Sequence, residues 1–352
     1  MREVFASAMG QYDNLGDTVL RRPYLRTLRE LGPLNVFVGN RPDDYLSALG
    51  IESTDVLFRD SAQWRRAISR SITRQGAVYA FNAGEIETTR PYAMHYLRVA
   101  PLLAVNRLRG GRALHVGLGI RRPTRWVPAI RGTLRLCDVV SWRDHESQMT
   151  MRTGGVAPDW GFAEGADDAT LLDRAAAGGQ RSIVVAPRHN GARFADDWCE
   201  RFAAVARELD LEIVVAAQTV RDNAAAEVLA RKWSAETVLW ESPHHAAHEF
   251  RLREAYSQAA VVVSERLHAL VLGATEGATP VAVADAPRAK AVRTIRSAGL
   301  AEFVVSSTVT ASIDPDVLGR ASSSAHETAT QVISARRGIE TLKERVRRAV
   351  AH

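Results

Sequence analysis

The residues best suited to chemistry lie in Ser264-Glu265-Arg266-Leu267-His268. There an apolar run stops abruptly, and a stretch of small and apolar residues, Ala269 to Ala274, begins. An imidazole in the first turn of a helix can donate or take a proton beside a bound anion. The neighbouring guanidinium can hold a carboxylate or phosphate through two parallel hydrogen bonds. A helix that is apolar on nearly every side must be buried, and burial would pin both polar groups at its start. A lone histidine at a helix start is more often a satisfied structural residue. The guanidinium of Arg266 at a strand terminus is what favours a working role here.

Four further segments carry candidate groups. In Val140-Ser141-Trp142-Arg143-Asp144 a strand ends with Arg143 at its tip; the plain alternative is a surface pair of Arg143 with Asp144, worth little. In Met9-Gly10-Gln11-Tyr12-Asp13-Asn14-Leu15-Gly16-Asp17, Gly10 and Gly16 permit tight turning or close approach to a ligand. Asp17 is expected to cap the helix that follows, whose N-terminal N–H groups suit an anion or a sugar hydroxyl. A polar loop with an aspartate cap and nothing more is the alternative. Its spacing is not Gly-x-Gly-x-x-Gly, which disfavours a nicotinamide enzyme. Arg188 and His189, in Pro187-Arg188-His189-Asn190, are plausible anion contacts, and Lys290 lies where it could reach back over a ligand. The cluster His244-His245-Ala246-Ala247-His248 has two imidazoles four residues apart, as zinc-binding helices do, but no carboxylate between them; it reads as structural.

These groups need elements to hold them. Residues 4–8, 34–38, 55–58, 77–81, 113–118 and 139–142 read as buried strands, with helices over 18–31, 62–73, 93–108 and 127–136. Strands separated by helices of that length imply βαβ crossovers and a mostly parallel sheet. Residues 161–179 are small, acidic and then glycine-rich, as a linker would be. The rhythm then restarts, with strands over 182–186, 211–216, 237–240, 259–264 and 280–284 and an arginine-rich helical tail over 329–350. The expectation is an α/β chain of two Rossmann-like domains, residues 1–165 and 180–352, with the last helix packing back on the first. Ligands of such sheets sit outside the carboxyl ends of the strands, so a site in a cleft between the domains is expected.

The bulk numbers agree with an ordinary globular protein. The chain has 352 residues, 46% hydrophobic and 24% charged, with a formal charge of +6 carried mainly by arginine. Such a surface favours phosphates, carboxylates or acidic lipids, although no block of five or six like charges occurs. A nucleic-acid binder is disfavoured, and a peripheral contact with the inner membrane surface is compatible with the charge. The two cysteines, Cys137 and Cys199, sit in apolar surroundings without metal-ligand spacing, so neither a cysteine zinc site nor a disulfide framework is expected. No signal peptide and no spanning apolar run is evident, so a cytoplasmic protein is expected.

Four segments, in order, resemble the polysaccharide pyruvyl transferase family. They are Gly10 with Asn14-Leu15-Gly16-Asp17, the turn Ala83-Gly84-Glu85, the strand ending in Arg143-Asp144, and Ser264-Glu265-Arg266-Leu267-His268-Ala269-Leu270 with Gly277 and Pro280 behind it. Ala83-Gly84-Glu85 stands where a double glycine is more usual. The resemblance implies a GT-B-like fold, two Rossmann-like domains facing a cleft. It also implies a transferase of polysaccharide biosynthesis, acting on exopolysaccharide or cell-wall precursors. The enolpyruvyl unit of phosphoenolpyruvate would pass to a sugar, oligosaccharide or lipid-linked saccharide as a cyclic ketal, with release of phosphate and with no metal or cofactor. It assigns acid–base work to His268 and donor binding to Arg266, Arg143 and Lys290. Arg188, His189, Asn14, Gly16, Asp17 and Glu85 complete the expected binding set. The main alternative is a GT-B glycosyltransferase using a nucleotide sugar, whose diphosphate would rest on the helix after Ser264 and whose ribose would need a glutamate such as Glu276.

Overall fold

The computed structural model describes residues 2–190, 194–241, 244–284, 289–300, 303–305 and 315–351. Its contacts divide the chain into two compact units. The first takes the chain as far as Trp160, apart from Asp13–Gly16, together with the stretch from Arg337 onward. The second consists of Asp13–Gly16 and Gly161–Arg336.

The first unit runs β1 (Val4–Ser7), α1 (Leu15–Arg29), β2 (Leu34–Phe37), α2 (Asp43–Ala48), β3 (Val56–Phe58), α3 (Ser61–Gln75), β4 (Val78–Ala80), β5 (Gly84–Ile86), α4 (Arg90–Leu108), β6 (Arg112–Ile120), α5 (Val127–Leu134), β7 (Val139–Trp142), α6 (His145–Met151) and β8 (Gly155–Val156). Its strands are parallel in the order β3-β2-β1-β4-β6-β7-β8, with β5 also paired to β6. The central strands are largely apolar because helices cover both faces: all of β6 beyond Arg112 is buried, whereas Val56 and Leu57 of the edge strand β3 are exposed. Trp64 of α3 anchors one layer, its ring against Phe5, Phe37 and Phe58. Chain order reverses between β1 and β4, so a crevice opens above their carboxyl ends.

The second unit continues with α7 (Asp168–Ala177), β9 (Ser182–Ala186), α8 (Asp196–Glu208), β10 (Glu212–Ala216), α9 (Asn223–Trp233), β11 (Glu236–Val238), α10 (His245–Ser257), β12 (Ala259–Ser264), α11 (Leu267–Glu276), β13 (Thr279–Val283), α12 (Lys290–Ser297), β14 (Phe303–Val305), α13 (Pro315–Ser322) and α14 (Ala325–Ala351), the last helix passing to the first unit from Arg337. Its sheet is parallel in the order β11-β10-β9-β12-β13-β14, which places the switch point between β9 and β12. Beneath it Trp198 stacks on Phe202 of the same helix, α8, and Phe202 on Trp233 of α9. Helix α11 lies against β12 so closely that a Cβ on Gly273 would collide with Val262.

Two expectations need correcting. Residues 161–179 are not a plain linker: they hold a 3-10 turn, Trp160–Ala163, and α7, whose N-cap Asp167 accepts from Thr170 N. Arg336 fastens the segment through the carbonyls of Phe162, Glu164 and Ala166 and the carboxylate of Asp168. Small and acidic residues suit caps as well as linkers, which is why composition misled. Likewise Ala83-Gly84-Glu85 is not a turn, because Gly84 and Glu85 open strand β5 in register with Leu118 and Gly119.

Candidate functional site

In the second unit, the carboxyl ends of β9, β10 and β12 bring together Arg188, His189, Thr219, Asp222, Arg266 and His268. Nine of the ten residues of α11 are buried, and His268 is the one that is not. Burying Leu267, Leu270, Val271 and Leu272 fixes the helix, each contributing about 1.5–3 kcal/mol, so the imidazole is held by its neighbours.

Gly16 belongs to the same unit and lies against that ring. A Cβ built on Gly16 would stand 2.8 Å from Cγ and 2.9 Å from Cβ of His268, and closer still to Nδ1. The segment reaches this position through main-chain pairing: Asn14 forms an antiparallel bridge with Thr219, and Val220 N donates to the Asp13 carbonyl. Asn14 Oδ1 accepts from Gly16 N at 3.1 Å, capping α1. Asp17, expected to be that cap, lies inside the first turn instead, in the first unit. There it accepts from Gln11 N at 2.7 Å and pairs with Arg21 at 2.6 Å.

Arg266 forms a two-pronged ion pair with Asp222, 2.5 Å from Nε to Oδ2 and 2.6 Å from Nη2 to Oδ1. Asp222 is fully buried and also accepts from His189 N at 3.0 Å, with His189 Nδ1 3.3 Å away. Thr219 Oγ1 lies 3.4 Å from Arg266 Nη2. The guanidinium that the sequence offers to a donor is thus paired with a buried carboxylate. Arg188 stands exposed and makes no ion pair among the described residues. Lys290 is half-buried at the first position of α12.

The first unit holds the other predicted residues. Arg143 is buried with its guanidinium 3.1 Å from the equally buried Asp159, and its backbone N donates to the Leu118 carbonyl. A Cβ on Gly119 would stand 2.6 Å from Nε, so only glycine leaves room for the guanidinium. Arg143 therefore does not pair with Asp144 on the surface. Asp144 instead caps α6, accepting from the N and Oγ of Ser147, each at 2.8 Å. Glu85 meets Arg121 at 3.3 Å. Above β1 and β4, Arg21 donates to Asn82 Oδ1 at 2.9 Å, and Asn82 Nδ2 donates to the Met9 carbonyl at 2.7 Å.

Sequence reading missed Asp159, Asp222, Thr219, Arg21 and Asn82. A signal existed for Thr219, which follows the strand of residues 211–216 much as Arg188 follows its own strand. The histidine cluster does other work: His245 and His248 are buried around Trp240, and His248 Nε2 donates to the Ala217 carbonyl at 2.7 Å.

A model of the polysaccharide pyruvyl transferase family matches residues 14–285, from the capping asparagine of α1 to just beyond β13. The chain belongs to the polysaccharide pyruvyl transferase family. As a member of that family it is a transferase. No curated protein matches the sequence. Solved structures similar in fold include a UDP-GlcNAc 2-epimerase from Neisseria meningitidis bound to UDP-GlcNAc, at 10% identity and a TM-score of 0.58, covering 97% of this chain and 99% of that one. Anabaena HepE in complex with UDP matches at 10% identity and a TM-score of 0.55, covering 98% and 100%. The glycosyltransferase of kitacinnamycin matches at 12% identity and a TM-score of 0.53, covering 99% and 97%. At such identities the likeness shows the fold alone: the two Rossmann-like domains of GT-B-type enzymes. Among the described residues no helix is long and apolar enough to cross a membrane.

Proposed function

We propose that this transferase moves the enolpyruvyl unit of phosphoenolpyruvate onto two hydroxyls of a saccharide, forming a pyruvyl ketal and releasing phosphate. The observation that carries the reading is His268, the one residue of its helix that is half-buried where the other nine are buried, its ring set against Gly16 of the Asn14-Leu15-Gly16 segment.

His268 in its protonated form gives a proton to the donor's methylene carbon, which becomes a methyl group and leaves the adjacent carbon electrophilic. A saccharide hydroxyl attacks that carbon and gives up its proton. The carbon–phosphate oxygen bond then breaks, phosphate leaves with the bonding pair, and the second hydroxyl closes the ring as its own proton departs. An imidazole, whose ordinary pKa lies near neutrality, serves both directions of proton movement. The donor carries about three negative charges, which several cations must offset as water is stripped away. Arg188, exposed just beyond β9, suits direct contact with it, and Lys290 is assigned a second contact from the start of α12; Arg266 and Arg143, paired with buried carboxylates, orient the strand ends. Asn14 and Gly16, in the same unit as His268, are assigned to shaping the approach of the acceptor and donor.

A nucleotide-sugar donor is the second reading. Glu276, the residue proposed for a ribose, has Oε1 2.8 Å from Arg253 and Oε2 3.3 Å from Arg174. It also lies eight residues along α11 from His268, about 12 Å at 1.5 Å per residue. Incubating the protein with phosphoenolpyruvate and saccharide acceptors should release inorganic phosphate, and a His268→Gln variant should not. Release of nucleoside diphosphate from sugar nucleotides, with none of phosphate from phosphoenolpyruvate, would reverse the assignment.

A further inference from the structure

The overall charge of +6 conceals a strong asymmetry. From Ser61 to Cys137 the chain carries fourteen arginines, no lysine and only two acids, Glu85 and Glu87. Removing these from the chain's totals of 46 basic and 40 acidic residues leaves 32 against 38. One segment is therefore +12 and everything else together is −6. The arginines stand singly or in pairs, never in a longer run.

The fold gathers them. Helices α3, α4 and α5 of the first unit pack side by side. Arg65, Arg66, Arg70 and Arg74 of α3 are exposed, as are Arg90, Arg98, Arg107 and Arg109 along and just beyond α4. None of these eight makes an ion pair among the described residues. Helix α4 itself has no acidic residue and, besides Tyr92 at 40% on its other side, exposes aliphatic ones: Met94 at 37%, Leu97 at 43%, Val105 at 44% and Leu108 at 87%, with Pro101 also exposed. At 100° per residue these five fall within an arc of about 80°, a stripe about 21 Å long. On the same wheel Arg98 and Arg109 lie along its edge, and Arg90 lies one turn before Met94.

We propose that this face docks the protein on an acidic lipid surface, the α4 stripe entering the headgroup boundary and the arginines meeting lipid phosphates. Aliphatic side chains laid between cations fit that boundary, where apolar area and charge attraction add together. A single-stranded nucleic acid needs flat rings for stacking, and the stripe has none. Two copies meeting through this face would set its arginines against each other. The inference is independent of the donor, since its readout is binding and not turnover.

The test is co-sedimentation of the full chain with vesicles of phosphatidylcholine alone and of phosphatidylcholine mixed with phosphatidylglycerol. Binding to the mixed vesicles and not to the neutral ones is expected, weakening as salt is raised. Arg98→Gln with Arg109→Gln should lower the partition coefficient about 25-fold, taking about fivefold for each arginine near an anionic surface. Leu97→Glu with Leu108→Glu should release the protein as well. All four positions are exposed, so melting curves matching the wild type should confirm intact folding. Sedimentation with both vesicle types alike, or with neither, overturns the proposal, as does undiminished binding in the leucine variant. A particle mass in light scattering that halves in the leucine variant assigns the face to a second copy. Capture of single-stranded RNA in place of acidic vesicles assigns it to nucleic acid. Either result also overturns the proposal.

Discussion

Gly16 and His268, 252 positions apart in the chain, meet so closely that no side chain fits between them. Neither residue is held there by its own bond to the other. Gly16 is fixed by the Asn14 cap and the Asn14–Thr219 bridge, and His268 by the buried residues of α11. Gly16 needs no left-handed backbone, so its requirement is space and not conformation. Gly16→Ala should therefore fold normally yet push the imidazole aside by a fraction of an ångström to an ångström. Displacements of that size cost about a hundredfold in turnover. The expectation is a fall in kcat with donor affinity in calorimetry nearly unchanged; wild-type kcat in Gly16→Ala would show that the contact has no bearing on the ring's work.

Arg266 gives a different kind of prediction. Because Asp222 has no exposure at all, removing its guanidinium partner strands a buried carboxylate. Losing one half of such a pair costs about 3–5 kcal/mol. Arg266→Ala should lower the denaturation midpoint markedly, and Arg266→Ala combined with Asp222→Ala should recover part of the loss. Arg188→Ala should do the reverse, leaving stability untouched and weakening phosphoenolpyruvate binding by about 1.5–3 kcal/mol, the value of a charge-assisted hydrogen bond. If Arg188→Ala binds the donor as the wild type does, that arginine is not a donor contact.

Those two arginines illustrate how far the sequence could be read. Strand–helix alternation made both sheets visible, because parallel strands covered on two faces are apolar throughout and need no partner information to be recognised. The tips of those strands followed, and with them Arg143, Arg188, Arg266 and His268. What each tip residue pairs with is a long-range fact: Asp159 is 16 residues from Arg143 and Asp222 is 44 from Arg266. No local spacing marks either acid. The cap of α1 failed for a nearer reason, since Asn14 and Asp17 are both good capping residues and only the geometry of Gln11 and Arg21 draws Asp17 away.

Arg143 carries the same logic into the first unit. Its guanidinium and Asp159 are both almost wholly buried, at 1% and 2% side-chain exposure, and Gly119 leaves it no room to swing out. Arg143→Ala should destabilise by about 3–5 kcal/mol through the stranded Asp159. Gly119→Ala, which keeps both charges, should cost stability by overpacking of about 1–3 kcal/mol. Both are read by urea unfolding at neutral pH. Wild-type stability in Arg143→Ala would mean that Asp159 finds another partner or takes up a proton.

Two buried imidazoles set the response to acid. Burial lowers the pKa of His115 from 6.5 to about 3, and burial lowers that of His248 to about 4 against the opposing pull of the Ala217 carbonyl. His115 Nε2 also sits 2.6 Å from the Tyr96 hydroxyl, with Phe81 stacked on the ring, so neither histidine can charge without leaving its place. Each is therefore neutral in the folded chain at pH 5 but mostly protonated once unfolded. Proton uptake by the unfolded chain favours unfolding, so this contribution is fully present above about pH 6.5 and is lost as pH falls toward the folded values. The slope for each ring approaches about 1.4 kcal/mol per pH unit well below 6.5. Unfolding free energies measured from pH 7.5 down to pH 5 should fall ever more steeply. His248→Gln, which keeps a donor for the Ala217 carbonyl but does not titrate, should remove one ring's share of that slope. Parallel curves for the two proteins would mean that His248 already charges in the folded state.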